Sequence, residues 1–413
     1  MLRCNNGGMT TLDRPLNRSL APTAFAGAIA MAAAMGFGRF SYTPILPGMM
    51  AGLGLTPADA GIVASANFIG YLLGAVAAGY GWAAGRERAI ALSALVATAV
   101  LLLAMGLTSS LLWFSVIRFL AGLASAFTMI FTSAIVLSRG LAAANPHVQS
   151  VHFGGVGMGI AVSSLMVFLL PAGGFGDFAS WQVAWFGGAV IACLGTLIVA
   201  ALLPEGPAGH RTGGKEKPLR WTRPLVVITL TYGLFGFGYV ITATFLVAMA
   251  RQGATDHSIE FFAWLITGLS AAVSVHAWHR AVPRLGIVGV YLAGLLVESV
   301  GLVLAVALPS PYAPLIGGLM LGATFIMVTA YGLQIGRALA PQSPRKALAF
   351  MTAAFGVGQI VGPLVAGLLA ERSGSFSAPT LLAAGVLLFC AALTGVQMRR
   401  TWPRLNNGNI SLS

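Results

Sequence analysis

Apolar residues run through this chain in long uninterrupted blocks, broken by short polar clusters rather than by the three-to-four-residue alternation of a half-buried helix. Twelve such blocks can be marked, at 21–50, 57–81, 88–107, 110–138, 146–170, 179–203, 222–251, 257–280, 285–308, 312–338, 345–371 and 376–399. Each is long enough for a helix of about 20 residues to cross about 30 Å of hydrocarbon. Barrel strands would be about 9–11 residues and would alternate, which these blocks do not. Thr56-Pro57 offers an N-cap followed by a first-turn proline, and Ser343-Pro344 does the same before the eleventh block. The pattern predicts an all-α membrane protein of twelve transmembrane helices, called helices 1 to 12 below.

The first block follows Arg14 and Arg18 and resembles a signal peptide at its start. It continues through Arg39 to Met50, well past an h-region of about 7–15 residues, so a retained first helix is expected. Met9 offers an alternative translation start. Composition narrows the class further. Of 413 residues, 57% are hydrophobic and 8% charged, against about 25% charged in soluble domains. The 53 glycines show no G-x-y period and suit close helix packing. Cys4, Cys193 and Cys390 are scattered and make neither a disulfide framework nor a metal site.

Charge gives the orientation. Of the 23 Lys and Arg residues, Arg251 and Arg372 fall on one side of the blocks, Arg39 and Arg118 lie inside them, and all the rest fall on the other side. The positive-inside rule makes that basic side cytoplasmic, with both termini inside, as in a bacterial inner-membrane protein. The net charge of +13 is thus a topology signal, and basic residues spread over many short loops do not suggest nucleic acid.

The longest polar stretch is a Pro-, Gly- and charge-rich linker that divides the helices six and six. The expected organisation is a tail at 1–20, a first half at 21–203, a linker at 204–221, a second half at 222–399 and a tail at 400–413. The halves repeat at an offset near 200: Gly36-Phe37-Gly38-Arg39 with Gly236-Phe237-Gly238-Tyr239, Gly155-Val156-Gly157 with Gly356-Val357-Gly358, and Gly122 with Gly322. Such a repeat implies a pseudo-twofold axis along the membrane normal and a site between the halves near mid-depth.

With these features the chain resembles the major facilitator superfamily over nearly its whole length. Arg118-Phe119-Leu120-Ala121-Gly122 is similar to the superfamily's RxxxG helix-4 motif, whose arginine is structural or couples protons. Gly358, Gly362 and Pro363 are similar to its GxxxGP gating motif, here on helix 11. Arg86 and Arg88 stand where its loop 2–3 gating motif would be, but without the usual aspartate a few residues earlier. Residues 36–49, 65–75 and 352–367 resemble the YbfB/YjiJ-type branch. The resemblance implies secondary transport by alternating access, with third-of-triplet helices at the periphery.

The residues themselves suggest the site. Arg39 lies roughly 16 Å along helix 1 from Met50, and a charge at that depth must face protein or water. Pro44 and Pro47 are expected to interrupt the helix beside it. Arg118 shares its estimated layer, as do Asn67 and Gln359, while Tyr239 is the repeat mate of Arg39. With Tyr42 these make a candidate substrate site. Asparagine and glutamine at such positions also serve as interhelical hydrogen-bond donors, and both arginines have a structural alternative, binding to carbonyls at broken helix ends. Glu298 is the one acid deep within a helix; it and His152 are the proton-coupling candidates, each with a packing alternative.

Enzyme signatures are lacking. Gly174-Phe175-Gly176-Asp177 matches an intramembrane protease string but has no second membrane aspartate, and no HExxH, GxSxG or P-loop occurs. No cofactor or metal is expected. The expected function is a monomeric, ion-coupled carrier of a small molecule, best an organic anion because no deep carboxylate neutralises Arg39 and Arg118. The rivals are an exporter of drugs or neutral metabolites and a non-transporting receptor or scaffold.

Overall fold

In a computed structural model of the chain, residues 20–145, 147–171, 173–206, 217–253 and 257–401 are described. The Met9 start, the basic residues before Leu20, Cys4, the middle of the linker and the C-terminal tail from Trp402 lie outside them. Among the described residues, twelve helices are long and apolar enough to cross a membrane. They are α1 (Ala21–Leu53), α2 (Pro57–Ala78), α3 (Glu87–Gly106), α4 (Leu111–Ala142), α5 (His147–Leu169), α6 (Ser180–Leu202), α7 (Arg223–Gly253), α8 (His257–His279), α9 (Val282–Ala307), α10 (Tyr312–Leu339), α11 (Pro344–Ser373) and α12 (Ser377–Thr401).

The expected capping at Thr56 is present: its hydroxyl accepts from the Asp59 N–H, and the Asp59 carboxylate accepts from the Thr56 N–H at 3.0 Å. Two helices depart from the uniform blocks read in the sequence. In α9 the first turn is offset by Gly286, whose φ of 69° is open to glycine and strained for other residues. In α1, the helix is not interrupted at Pro44 and Pro47. The chain is α-helical again from Tyr42, with Pro44 in the first turn and Pro47 inside, and the departure lies just upstream, where Ala32–Phe40 forms a π-helical stretch that ends in a turn at Ser41. Proline lacks an N–H and crowds the carbonyl four residues back. The carbonyl four residues before Pro44 is that of Phe40, the last residue of the π-helical stretch.

The fold is that of the major facilitator superfamily, two pseudo-symmetric halves of six helices. The glycine repeat has a packing counterpart. A side chain on Gly122 would strike the Asn67 carbonyl of α2, and one on its mate Gly322 would strike the Thr267 carbonyl of α8. Gly155 of α5 abuts Ala28 of α1 and Gly358 of α11 abuts Gly233 of α7, so each of these helices packs on the first helix of its half, at glycines the repeat does not align. Close backbone approach without a hydrophobic driving force is how membrane helices associate. Between the halves, α5 packs on α8 and α2 on α11. Ser164 donates to the Phe261 carbonyl at 2.9 Å, and Ser65 to the Ile360 carbonyl at 2.8 Å.

Candidate functional site

The π-helical stretch places Arg39 and its neighbours at the centre of the seam between the halves. Arg118 reaches from α4 and donates to the Gly38 carbonyl and the Arg39 carbonyl, both at 2.9 Å. Asn67 of α2 donates to the Arg118 carbonyl at 2.9 Å, which ties α2, α4 and α1 into one layer. The face of the Tyr42 ring lies 5.1 Å from the Arg118 guanidinium, and the Tyr42 hydroxyl donates to the Ala60 carbonyl at 3.0 Å. Arg118 is thus engaged by carbonyls of an irregular helix, the structural arrangement open to it from the sequence.

Arg39 is different. Only 4% of it is exposed, and its guanidinium lies over the rings of Tyr71 at 4.4 Å and Phe68 at 4.5 Å. Its Nε and Nη2 have no hydrogen-bond partner. Cation–π contact offsets part of the burial of a charge, but hydrogen-bonding groups left unmade are costly. A void of about 10 Å³, near the lower limit for one water, is bordered by Arg39, Arg118, Tyr42, Thr43 and Val240 among others.

Across the seam, Gln359 of α11 donates to the Tyr239 hydroxyl of α7. Tyr239 lies nearly parallel to Phe325 at 5.8 Å and to Phe355 at 5.7 Å, and Phe325 meets Phe40 edge-on at 5.9 Å. Tyr239 is within electrostatic reach of Arg39. The structure therefore brings Arg39, Tyr42, Asn67, Arg118, Tyr239 and Gln359 to one level. Phe68, Tyr71, Phe325 and Phe355 were not singled out from the sequence. Phe68 and Tyr71 follow each other by one helical turn, the spacing that puts two rings on one face.

The other candidates lie apart. His152 is buried in the first half, with its Nε2 2.8 Å from the Ser133 hydroxyl. Glu298 is buried behind α10, in contact with Thr324. Gly358 and Gly362 let α11 lie against Gly233 and Phe237 of α7, and the Pro363 carbonyl abuts Gly61 of α2 across the seam. Arg88 donates to the Ala200 carbonyl at 2.7 Å and the Leu203 carbonyl at 2.8 Å and pairs with Glu205, capping the end of α6 where cations are favourable. Arg86 donates to the Trp82 carbonyl at 3.2 Å. Both sets of arginine contacts stay within the first half and the start of the linker.

On the face opposite the chain ends lies a larger cavity of about 540 Å³, walled by the far ends of α1, α5, α6, α7 and α8. Arg251 and Glu260 line it and pair through two contacts of 2.7 and 2.8 Å. Its Pro44 and Ile45 follow Thr43, which borders the void at Arg39. Thr43 of α1 donates to the Ala243 carbonyl of α7 at 2.6 Å, joining residues related by the repeat. The GxGD string forms a turn, with Gly174 and Gly176 at φ of 83° and 59°.

These features define a membrane carrier with a cationic, aromatic site between two six-helix halves. The chain belongs to the family described as "Uncharacterised MFS-type transporter YbfB", whose model matches residues 31–395, and so to a class of transporters rather than enzymes. No curated protein matches in sequence. Among solved structures, it is similar to the nucleoside transporter NupG (16% identical, 93% of this chain and 100% of that one, TM-score 0.70). It is also similar to a bacterial homolog of the human lysosomal transporter Spinster, inward-facing and unoccupied (13%, 93% and 98%, TM-score 0.72). A third is the human organic anion transporter MFSD10 (16%, 92% and 100%, TM-score 0.63). At such identities these show the fold alone.

Proposed function

We propose that this transporter moves a small organic anion with an apolar body by alternating access, the two halves rocking about the layer that holds Arg39. The observation that carries this reading is the pair of partnerless N–H groups on buried Arg39. A carboxylate would meet both with the planar fork that suits a guanidinium. Phe40, Phe68, Tyr71 and the Tyr239–Phe325–Phe355 rings would receive the apolar body. In this reading Arg118 and Asn67 hold the Arg39 peptide in place, Tyr42 borders the site, and the Tyr239–Gln359 pair forms its wall in the second half. Gly358, Gly362 and Pro363 allow α11 to shift on α7 and α2. Arg86 and Arg88 brace the first half as it moves. Every group comes from one chain, which suits a monomer. Secondary transport has an ion or solute gradient to draw on, and the proton candidates Glu298 and His152 both lie outside the substrate layer.

Ligand-induced stabilisation of the purified protein tests the substrate class. Short aliphatic and aryl monocarboxylates should raise the melting temperature, and their primary amides should not. The rise should shrink in Arg39→Lys and vanish in Arg39→Gln. Stabilisation by a neutral amide or a sugar that persists in Arg39→Gln would favour a neutral substrate instead.

A further inference from the structure

Glu298 sits in the seam between α9 and α10, where no described residue forms an ion pair with it. Gly294, Glu298 and Gly301 fall at i, i+4 and i+7, on one face of α9. A side chain on Gly301 would meet the Met320 Cβ at 2.6 Å, and one on Gly294 would meet the Val328 Cγ2 at 2.5 Å. The two glycines thus make room for α10 side chains one turn on either side of the acid, which is 1% exposed. Among the described residues neither ion pair, Arg88–Glu205 nor Arg251–Glu260, includes it. The polar groups that reach it are Thr324 of α10 and, electrostatically, the Tyr239 hydroxyl of α7. From α12, Ser299 is tied to the Ala384 carbonyl, and Cys390 lies by Tyr291. Among the described residues, α8 brings Thr267, Ser270 and the Trp278 indole against α10, none of them charged.

The hydrogen count is informative. The Thr324 hydroxyl oxygen is 2.6 Å from the Met320 carbonyl, 3.2 Å from the Leu321 carbonyl and 2.9 Å from Glu298 Oε2. It carries one hydrogen, and carbonyls only accept. If that hydrogen goes to the Met320 backbone carbonyl, the shorter contact and the usual bond of a helical threonine to the residue four back, the contact to Oε2 needs a hydrogen on the carboxyl. Both short contacts are satisfied together only by a neutral acid. Glu298 Oε1 has no partner, a modest cost for a carbonyl oxygen and a prohibitive one for half of a buried carboxylate.

We propose that Glu298 is a proton-binding site, loaded and sealed in this conformation and emptied to water only when the α9–α10 seam opens. This deepens the transporter reading above, in which such a site couples the carrier to a proton gradient. The link to the substrate layer is short. Phe325 follows Thr324 and touches both Phe40 and Tyr239, so movement of the Glu298–Thr324 contact is felt beside Arg39.

Infrared spectroscopy of the purified wild-type protein at neutral pH, in water and deuterium oxide, tests this without substrate or turnover, so its outcome is independent of the Arg39 binding experiment. A protonated-carboxyl stretch should be present, should be missing in Glu298→Gln, and should shift on deuteration more slowly than those of solvent-facing acids at low pH. Thr324→Val should keep the band but move it, because the hydrogen bond is lost; this variant decides the matter if Glu298→Gln does not fold. No such band in the wild type, or immediate deuteration, overturns the proposal. So does a sodium-dependent rise in melting temperature that Glu298→Gln abolishes, which would make the site one for a metal cation.

Discussion

Arg39 and Arg118 share one layer and one charge, yet their surroundings lead to opposite expectations on substitution. Arg118 satisfies two carbonyls that a regular α-helix would have kept for itself. Arg118→Met should leave those carbonyls unpaired and lower stability by about 1–3 kcal/mol. Arg39→Gln removes a buried charge whose donors already lack partners, and its melting temperature should equal or exceed that of the parent. Thermal unfolding of both variants in detergent without ligand checks this; a larger loss for Arg39 than for Arg118 would mean that Arg39 is the structural arginine. The depth of both charges was legible from the sequence, because a lone arginine far inside an apolar block has few places to go. Which carbonyls Arg118 binds was not. Those acceptors exist only because the backbone of α1 widens ahead of Pro44, and no residue pattern announces that widening.

The twelve helices themselves were readable, since length and apolarity alone decide what spans a bilayer. Their inner irregularities were not: Pro44 and Pro47 pointed to a break at the prolines, whereas the irregular stretch is Ala32–Phe40. Aromatic residues such as Phe68 and Phe355 carried no signal because rings are common on lipid-facing and buried positions alike. Only the position of Arg39 gives Phe68 and Tyr71 a meaning. At this scale the Thr43–Ala243 hydrogen bond joins α1 and α7 at residues that line the void at Arg39, next in sequence to Pro44 and Ile45 of the 540 Å³ cavity. Thr43→Val keeps the shape and removes the bond, worth about 0.5–1.5 kcal/mol, and so should raise the population open on that face several-fold. In a background lacking Cys4, Cys193 and Cys390, an Ala64→Cys probe beside the void should react faster with a membrane-impermeant maleimide when Thr43→Val is added. Unchanged labelling would place the barrier elsewhere, at the α2–α11 or α5–α8 contacts.

For the whole molecule, the loops on the face that holds the chain ends are tied together across both halves. Arg88 pairs with Glu205 at the start of the linker, Arg139 donates to the Glu205 carbonyl at 3.5 Å, and Lys346 of the second half donates to the Lys217 carbonyl at 3.0 Å. The linker thus meets loops of both halves on the same basic face, while Arg251 on the opposite face is already neutralised by Glu260. Translocating so many cations would be opposed by the membrane potential at about 2.3 kcal/mol per charge per 100 mV, so that face should stay cytoplasmic. A fluorescent protein fused after Thr401 or inserted in the linker should therefore fold and fluoresce, and alkaline phosphatase at the same two sites should be inactive. The reverse assignment is expected for insertions between Gly173 and Asp177, in the turn that follows α5. Phosphatase activity at the linker would invert the carrier in the membrane, and the 540 Å³ cavity would then open towards the cytoplasm.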